Sequence, residues 1–463
     1  MFQRIAFCSS LLRRHSSVSA LMAALSPALL LVGASALGAT PEANGPVNLQ
    51  FTIPIPPVAT NATGGMYGFD ISFVDQTTQT YYLGDRSNAA VDVVNAKTGT
   101  FVKHITASPA FAGIKLNASG TVNNNLSGPN GVATGVVGTQ DCLFAGDGPS
   151  RVVSFSLPGG TQVTSISTGG MFRADEMAFD PKDKLLAVAN NADSPPFLTL
   201  LNVSAKCALT IKSKILLNTA NGVNATNGAE QAVWDPGTQR FYMSIPSISG
   251  TTTAPGIIGG IARINPLTAK VETVFAIPFC MPAGLALGPN QTLLAGCSVV
   301  YDTMGDPWFG ADNNTANPLQ VIIDTNGVYA FVSGIGSSDE VWFNSGDNHW
   351  YTGSSTTPYS PRPVAGTTGA LSSTDQGAGL LGVIDGTSQA LDQIVPTFDV
   401  PLVKPALGPL PGHPSGSSHS VAANAANNHV FVPLPANNAI LGCLTGCIGV
   451  YYRNDVDSAG ATD

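Results

Sequence analysis

One unit of sequence recurs seven times in this chain, and the repeat limits the possible folds more than any other feature. The unit opens with a polar residue, continues as a short apolar strand that ends at Asp, Asn or Gly, and turns into a second, alternating strand. A third strand follows in every unit, and a fourth follows in all but the last. The first strands open at Tyr67, Gly128, Arg173, Gly228, Cys280, Ser338 and Ser417.

The repeat predicts an all-β fold, a seven-bladed β-propeller of four-stranded blades. A period of about 45 to 60 residues with four strands is typical of propeller blades, which bury their faces only against neighbouring blades. The last unit lacks a fourth strand, and residues 48–56 form a strand with no neighbour in sequence. We therefore expect residues 51–56 to complete the last blade and close the ring. The uneven spacing leaves six or eight blades as alternatives.

The N-terminal segment has the pattern of a secretory signal. Arg4, Arg13 and Arg14 precede an apolar run over residues 20–32, and small residues at 34–36 form a cleavage site. We predict a signal peptide over residues 1–36 and a single propeller domain over residues 37–463, exported to the periplasm or secreted. The alternative is an uncleaved membrane anchor.

Charge and cysteine content narrow the class of protein further. Without residues 1–36, the chain has 17 Lys and Arg against 29 Asp and Glu, a net charge of −12. Such acidity argues against nucleic acid or a membrane as partners of the mature chain, and we expect a monomer that binds a small molecule.

The six remaining cysteines favour disulfides in an exported chain. We pair Cys443 with Cys447, Cys280 with Cys297 across a predicted hairpin, and, as the remainder, Cys142 with Cys207.

Aligning the first strands places one residue of each unit at the same opening position. These residues are Asp70, Asn130, Asp175, Glu230, Ala283, Asp339 and His419. Asp70 fits least well, because Ser72 occupies an apolar position of the pattern.

First strands line the channel of a propeller, so these side chains should converge near one mouth. Four carboxylates there need a cation, protons or water. A hard divalent cation, Ca²⁺ or Mg²⁺/Mn²⁺, is the simplest solution. The alternative is a structural polar channel that satisfies backbone groups or holds water.

Two long insertions lie between second and third strands, over residues 299–318 and 355–379. The first carries Tyr301, Trp308 and Phe309 and is predicted to form a substrate lip above the mouth. The second is rich in Ser, Thr, Gly and Pro.

The sequence has no Gly-x-Ser-x-Gly, Cys-x-x-Cys-His or His-Glu-x-x-His motif and no phosphate-binding glycine loop, so nothing points to a nucleotide, haem or flavin.

Four segments carry a family resemblance: YYLGDRSNAAVDVVNAKTG, MAFDPKDKLLAVAN, CMPAGLALGPNQTLLAGC and HSVAANAANNHVFVP. With them the chain resembles the exported propeller superfamily of gluconolactonase-like, NHL-like and YVTN-like proteins. In the lactonase-like branch, Glu, Asn and Asp hold a divalent metal in the channel mouth. The resemblance implies this role for Asp70, Asn130, Asp175, Glu230 and Asp339. The sequence departs from that branch in having His419, a gap at Ala283, and seven units rather than six.

These observations lead to three functional hypotheses. The first is a divalent-metal-dependent hydrolase of the lactonase or esterase type, in which Asp175, Asp339 or His419 activates water. The second is a non-catalytic propeller that binds a small ligand or a protein. The third is a lyase that uses His419 as its base.

Overall fold

The computed structural model describes residues 45–119, 122–248, 258–303, 305, 318–354, 379–397, 419–437 and 440–453. These residues form seven antiparallel sheets of four strands each, ordered around a central channel. The described helices are short 3₁₀ turns, and none has the length and hydropathy needed to cross a bilayer. The predicted seven-bladed β-propeller is therefore confirmed. The predicted signal peptide lies outside the described residues and stays a prediction.

The chain enters the ring with β1 (Val47–Pro54) and then builds the first four blades in order. Blade 1 contains β2 (Phe69–Asp75), β3 (Thr80–Asp85), β4 (Ala90–Asn95) and β5 (Thr100–Ile105). Blade 2 contains β6 (Val132–Val137), β7 (Gln140–Asp147), β8 (Arg151–Ser156) and β9 (Thr161–Ser167). Blade 3 contains β10 (Met177–Asp180), β11 (Leu185–Asn190), β12 (Phe197–Val203) and β13 (Leu209–Leu216). Blade 4 contains β14 (Ala232–Asp235), β15 (Arg240–Ile245), β16 (Ile258–Asn265) and β17 (Lys270–Pro278).

The remaining blades follow the same order. Blade 5 contains β18 (Cys280–Leu287), β19 (Thr292–Val300), β20 (Leu319–Asp324) and β21 (Tyr329–Ser333). Blade 6 contains β22 (Ser338–Asn344), β23 (His349–Ser354), β24 (Leu380–Asp385) and β25 (Leu391–Pro396). Blade 7 contains β26 (Ala422–Asn424), β27 (His429–Leu434), β28 (Cys447–Arg453) and, as its outer strand, β1. The 3₁₀ turns are Asn124–Leu126, Thr219–Asn221 and Pro289–Gln291.

Carboxylates at the ends of first strands organise the turns that follow. Asp75 accepts hydrogen bonds from the backbone N–H groups of Thr77 and Thr78, at 2.9 and 3.1 Å. Asp180 and Asp235 do the same in blades 3 and 4. The Asp or Asn that ends the apolar pattern is thus a turn residue. The last turn residue has a positive φ of 50° to 58° in five blades, at Gln79, Lys184, Gln239, Asn348 and Asn428.

Strand β1 closes the ring without a covalent link. It pairs antiparallel with β28, with Phe51 opposite Val450 and Ile53 opposite Ile448. Ile53 and Ile55 are buried in one cluster with side chains of blade 1. Burial of this one face fixes the register, because a slip of one residue would turn these side chains outward. The predicted closing strand is confirmed, although its pairing begins a few residues earlier than expected.

All three predicted disulfides are present. Cys443 pairs with Cys447, Cys280 with Cys297 across β18 and β19, and Cys142 of β7 with Cys207 in the β12–β13 turn. The last bond links blades 2 and 3, and all six residues are fully buried. Three buried disulfides are consistent with an oxidising, exported compartment.

Candidate functional site

The channel mouth is formed by residues at the opening positions of the first strands. Asp70, Asn130, Asp175 and His419 are buried there, whereas Glu230 and Asp339 are half-buried and reach the rim. Ala283 contributes a buried methyl group. The predicted residues therefore lie close enough together to interact. For example, Nε2 of His419 is 3.7 Å from Oδ1 of Asp70.

Arg86, which the sequence analysis missed, neutralises Asp70, one of the buried carboxylates of the mouth. It directly follows β3, and only 1% of its surface is exposed. Its Nη2 forms an ion pair with Oδ2 of Asp70 and donates to Oδ1 of Asn130 at 2.8 Å. Its Nε donates to the same Asn130 oxygen at 3.0 Å, and its Nη1 donates to Asn124 at 3.1 Å. The guanidinium is thus held by a set of fixed acceptors, as buried arginines require.

Arg173 is the second cation of the mouth, and it links the buried carboxylates to the rim. Its Nη2 lies 2.8 Å from Oδ2 of Asp175, and its Nη1 lies 3.3 Å from Oδ2 of Asp70. Its Nε donates to Oδ1 of Asn191 at 3.3 Å, and Nδ2 of Asn191 donates to Glu230 at 3.4 Å. Charged residues of blades 1, 3 and 4 therefore belong to one network.

The carboxyl groups of the network have strongly different pKa values. Burial alone would raise the pKa of Asp70, but Arg86 and Arg173 hold it well below its ordinary value. Burial raises the pKa of Asp175 well above the ordinary value, against the opposing charge of Arg173. Burial and the charge of Asp339 raise the pKa of Glu230 to about 7, although Arg173 opposes this shift. A rim carboxyl group of this kind exchanges protons near neutral pH.

A second layer of acid lies deeper in the channel. Glu176 and Glu340 directly follow Asp175 and Asp339, and each is only 3% exposed. The two side chains, from blades 3 and 6, are hydrogen-bonded to each other, and burial raises the pKa of both well above the ordinary value. A hydrogen bond between two carboxyl groups requires a proton on one of them. This pair was also missed, although an Asp-Glu dipeptide marks it in both units.

The mouth does not fit the predicted divalent cation. Oδ2 of Asp70 accepts from two guanidinium groups, and Oδ2 of Asp175 accepts from Arg173. Across the described part of the chain, no group of three or more His, Cys, Asp or Glu residues is arranged to hold a metal ion. The arginines supply the positive charge for which the sequence suggested a metal. Metal binding itself stays a prediction that only a measurement can test.

His419 and Tyr301 each contact a neighbouring side chain. The His419 ring stacks on Phe69 with a centroid distance of 4.9 Å and is 5% exposed, so little of it is accessible to a ligand. The Tyr301 hydroxyl lies 2.8 Å from the sulfur of Met281, which precedes the opening position of blade 5. Trp308 and Phe309, the other predicted lip residues, lie outside the described residues.

Fold and site together define a disulfide-bridged seven-bladed propeller with an ion-pair network in its channel mouth. No family profile and no curated protein matches this chain. Among solved structures, the hydrazine synthase of Kuenenia stuttgartiensis is similar over 86% of this chain and 98% of its own, with a TM-score of 0.56 and 12% identity. At 12% identity, this likeness shows the fold alone. The resemblance to gluconolactonase-like proteins is supported only as far as the propeller.

Proposed function

We propose that this propeller is a non-catalytic binding protein that holds a small polyhydroxylated molecule, such as a sugar, at its channel mouth. The observation that carries the proposal is the internal neutralisation of Asp70 and Asp175 by Arg86 and Arg173. These two arginines balance the charges of these two carboxylates without a metal ion.

The rim groups match the chemistry of hydroxyl groups. Glu230 and Asp339 accept hydrogen bonds from hydroxyls when ionised, and the partly exposed Arg173 donates to hydroxyl oxygens. Arg173 is fixed by its ion pairs and Glu230 by Asn191, so little conformational freedom is lost on binding.

One observation favours a hydrolase as the second candidate. With a pKa of about 7, Glu230 can take a proton from water as that water attacks the carbonyl carbon of a lactone or ester. Arg173 would then stabilise the negative oxygen of the tetrahedral intermediate. This arrangement needs no metal ion, unlike the first hypothesis from the sequence. His419 as the base of a lyase has the least support, because the imidazole is almost fully buried.

Titration calorimetry with a panel of monosaccharides and aldonolactones tests the proposal. We expect at least one compound to bind without being consumed, and Glu230→Gln and Asp339→Asn each to weaken its binding about tenfold or more, the usual effect of losing a charged hydrogen-bond acceptor. Glu272→Gln, on the outer strand of blade 4, is the control and should leave the affinity unchanged.

Two results would contradict the binding proposal. Lactone hydrolysis that is lost in Glu230→Gln would establish the hydrolase instead. Binding of a panel compound that is equally tight in all three variants would place the ligand away from the mouth.

A further inference from the structure

A separate cavity occupies the rest of the channel, on the far side of the glutamate pair from the mouth. Its volume is about 260 Å³. It extends from Glu176 and Gln231 to the ends of the first strands of blades 1 to 6, and apart from these two residues and Ser72 its lining is apolar. An engineered cavity of about 150 Å³ is enough for benzene, so this one accommodates a ring with a substituent.

Aromatic side chains form much of the cavity wall. The rings of Phe73 and Trp342 meet edge to face with centroids 5.3 Å apart. Phe179, Trp234 and Phe343 also line the space, and all five are half-buried. The negative faces of such rings attract cations as well as apolar groups.

The polar end of the cavity is a carboxyl group. Glu176 lines the cavity, and no backbone group or other described side chain donates a hydrogen bond to its buried Oε2. A buried carboxyl oxygen without a donor costs free energy. An N–H group of an amine cation would donate to it, and a quaternary ammonium ion would offset the cost by its charge alone. The side-chain oxygen of Gln231 already has a partner, since this Oε1 accepts a hydrogen bond from the backbone N–H of Leu285.

We propose that this cavity binds a small organic cation, an amine or a quaternary ammonium ion with an apolar substituent. The charged group lies against Glu176, and the apolar part lies among Phe73, Trp234 and Trp342. Aromatic walls with a carboxylate at one end are the chemistry that recognises such cations. The site does not depend on the function proposed for the mouth.

Tryptophan fluorescence reports on this site, because Trp234 and Trp342 line it. We would titrate the full chain with benzyltrimethylammonium and with benzyl alcohol, a neutral compound that shares the ring. We expect the cation to bind at least ten times more tightly than the alcohol. In Glu176→Gln the preference should fall below about twofold, since the substitution removes the carboxyl group that lines the cavity at nearly constant shape.

Three further variants provide a replacement for Glu176→Gln, a second test of the cavity wall and a control. Glu176→Met replaces Glu176→Gln if the latter does not fold, as judged by thermal unfolding. Trp342→Leu should weaken binding of the cation, and Glu272→Gln should leave it unchanged. Equal affinity for the cation and the alcohol, no saturable binding of the cation, or a cation preference that survives replacement of Glu176 would overturn the proposal. None of these outcomes bears on sugar binding at the mouth, so the two proposals fail separately.

Discussion

Arg86→Met should lower the free energy of unfolding by about 3 to 5 kcal/mol, the usual cost of removing one partner of a buried ion pair. Methionine fills part of the space, but Oδ1 of Asn130 loses both donors from Arg86 and Asp70 loses the nearer of its two guanidinium groups. Arg173 alone would then have to compensate Asp70 and Asp175. Equilibrium unfolding in urea measures the change.

Two controls show whether loss of the buried ion pair causes the decrease in stability. Arg240→Met removes the ion pair to Glu272, in which both side chains are about one-quarter exposed, and should cost at most about 1 kcal/mol. Adding Asp70→Asn to Arg86→Met should restore part of the lost stability, because the uncompensated charge disappears. If Arg86→Met cost no more than Arg240→Met, the network would not be a source of stability.

Removing the disulfide between blades 2 and 3 should have an effect of similar size. Cys142 and Cys207 are 65 residues apart, so the loop-entropy estimate for Cys142→Ala/Cys207→Ala is a loss of about 4 kcal/mol. Cys443 and Cys447 are only 4 residues apart, and Cys443→Ala/Cys447→Ala should cost about 2 kcal/mol. The two variants serve as controls for each other, since both remove a fully buried bond.

Guanidinium chloride unfolding of the two double variants without reductant measures these costs. The larger loss should belong to the bond with the longer loop. A reversed order would show that packing at the cysteines, rather than restriction of the unfolded chain, determines their contribution.

The fold was predictable because every unit repeats the same local signals. An apolar strand that ends at Asp75, Asp180 or Asp235 indicates both the strand and the turn that this residue stabilises. The poor fit at Asp70 also has a structural reason. The register between β2 and β3 shifts between Phe69 and Ser72, and the hydroxyl of Ser72 is hydrogen-bonded to Ser420 of blade 7.

The site was predictable only in part, because local patterns do not show which charges meet. The alignment brought Asp70, Asp175, Glu230 and Asp339 to one mouth, but it compared first strands only. Arg86 follows a second strand, and its contact with Asp70 depends on how blade 1 is folded. Arg173 was inside the aligned segment, two residues before Asp175, and could have been recognised as its counter-ion. Four carboxylates were therefore assigned to a metal ion, although two arginines lie among them.

Metal analysis of the purified full chain tests the central claim most directly. If Arg86 and Arg173 neutralise the mouth, mass spectrometry should find far less than one Ca²⁺, Mg²⁺ or Mn²⁺ per chain, and a chelator should leave the thermal unfolding temperature unchanged. One tightly bound divalent ion per chain, removed by the chelator with a fall in unfolding temperature and absent from Asp175→Asn, would contradict the account. That result would restore the metal-dependent hydrolase as the leading hypothesis.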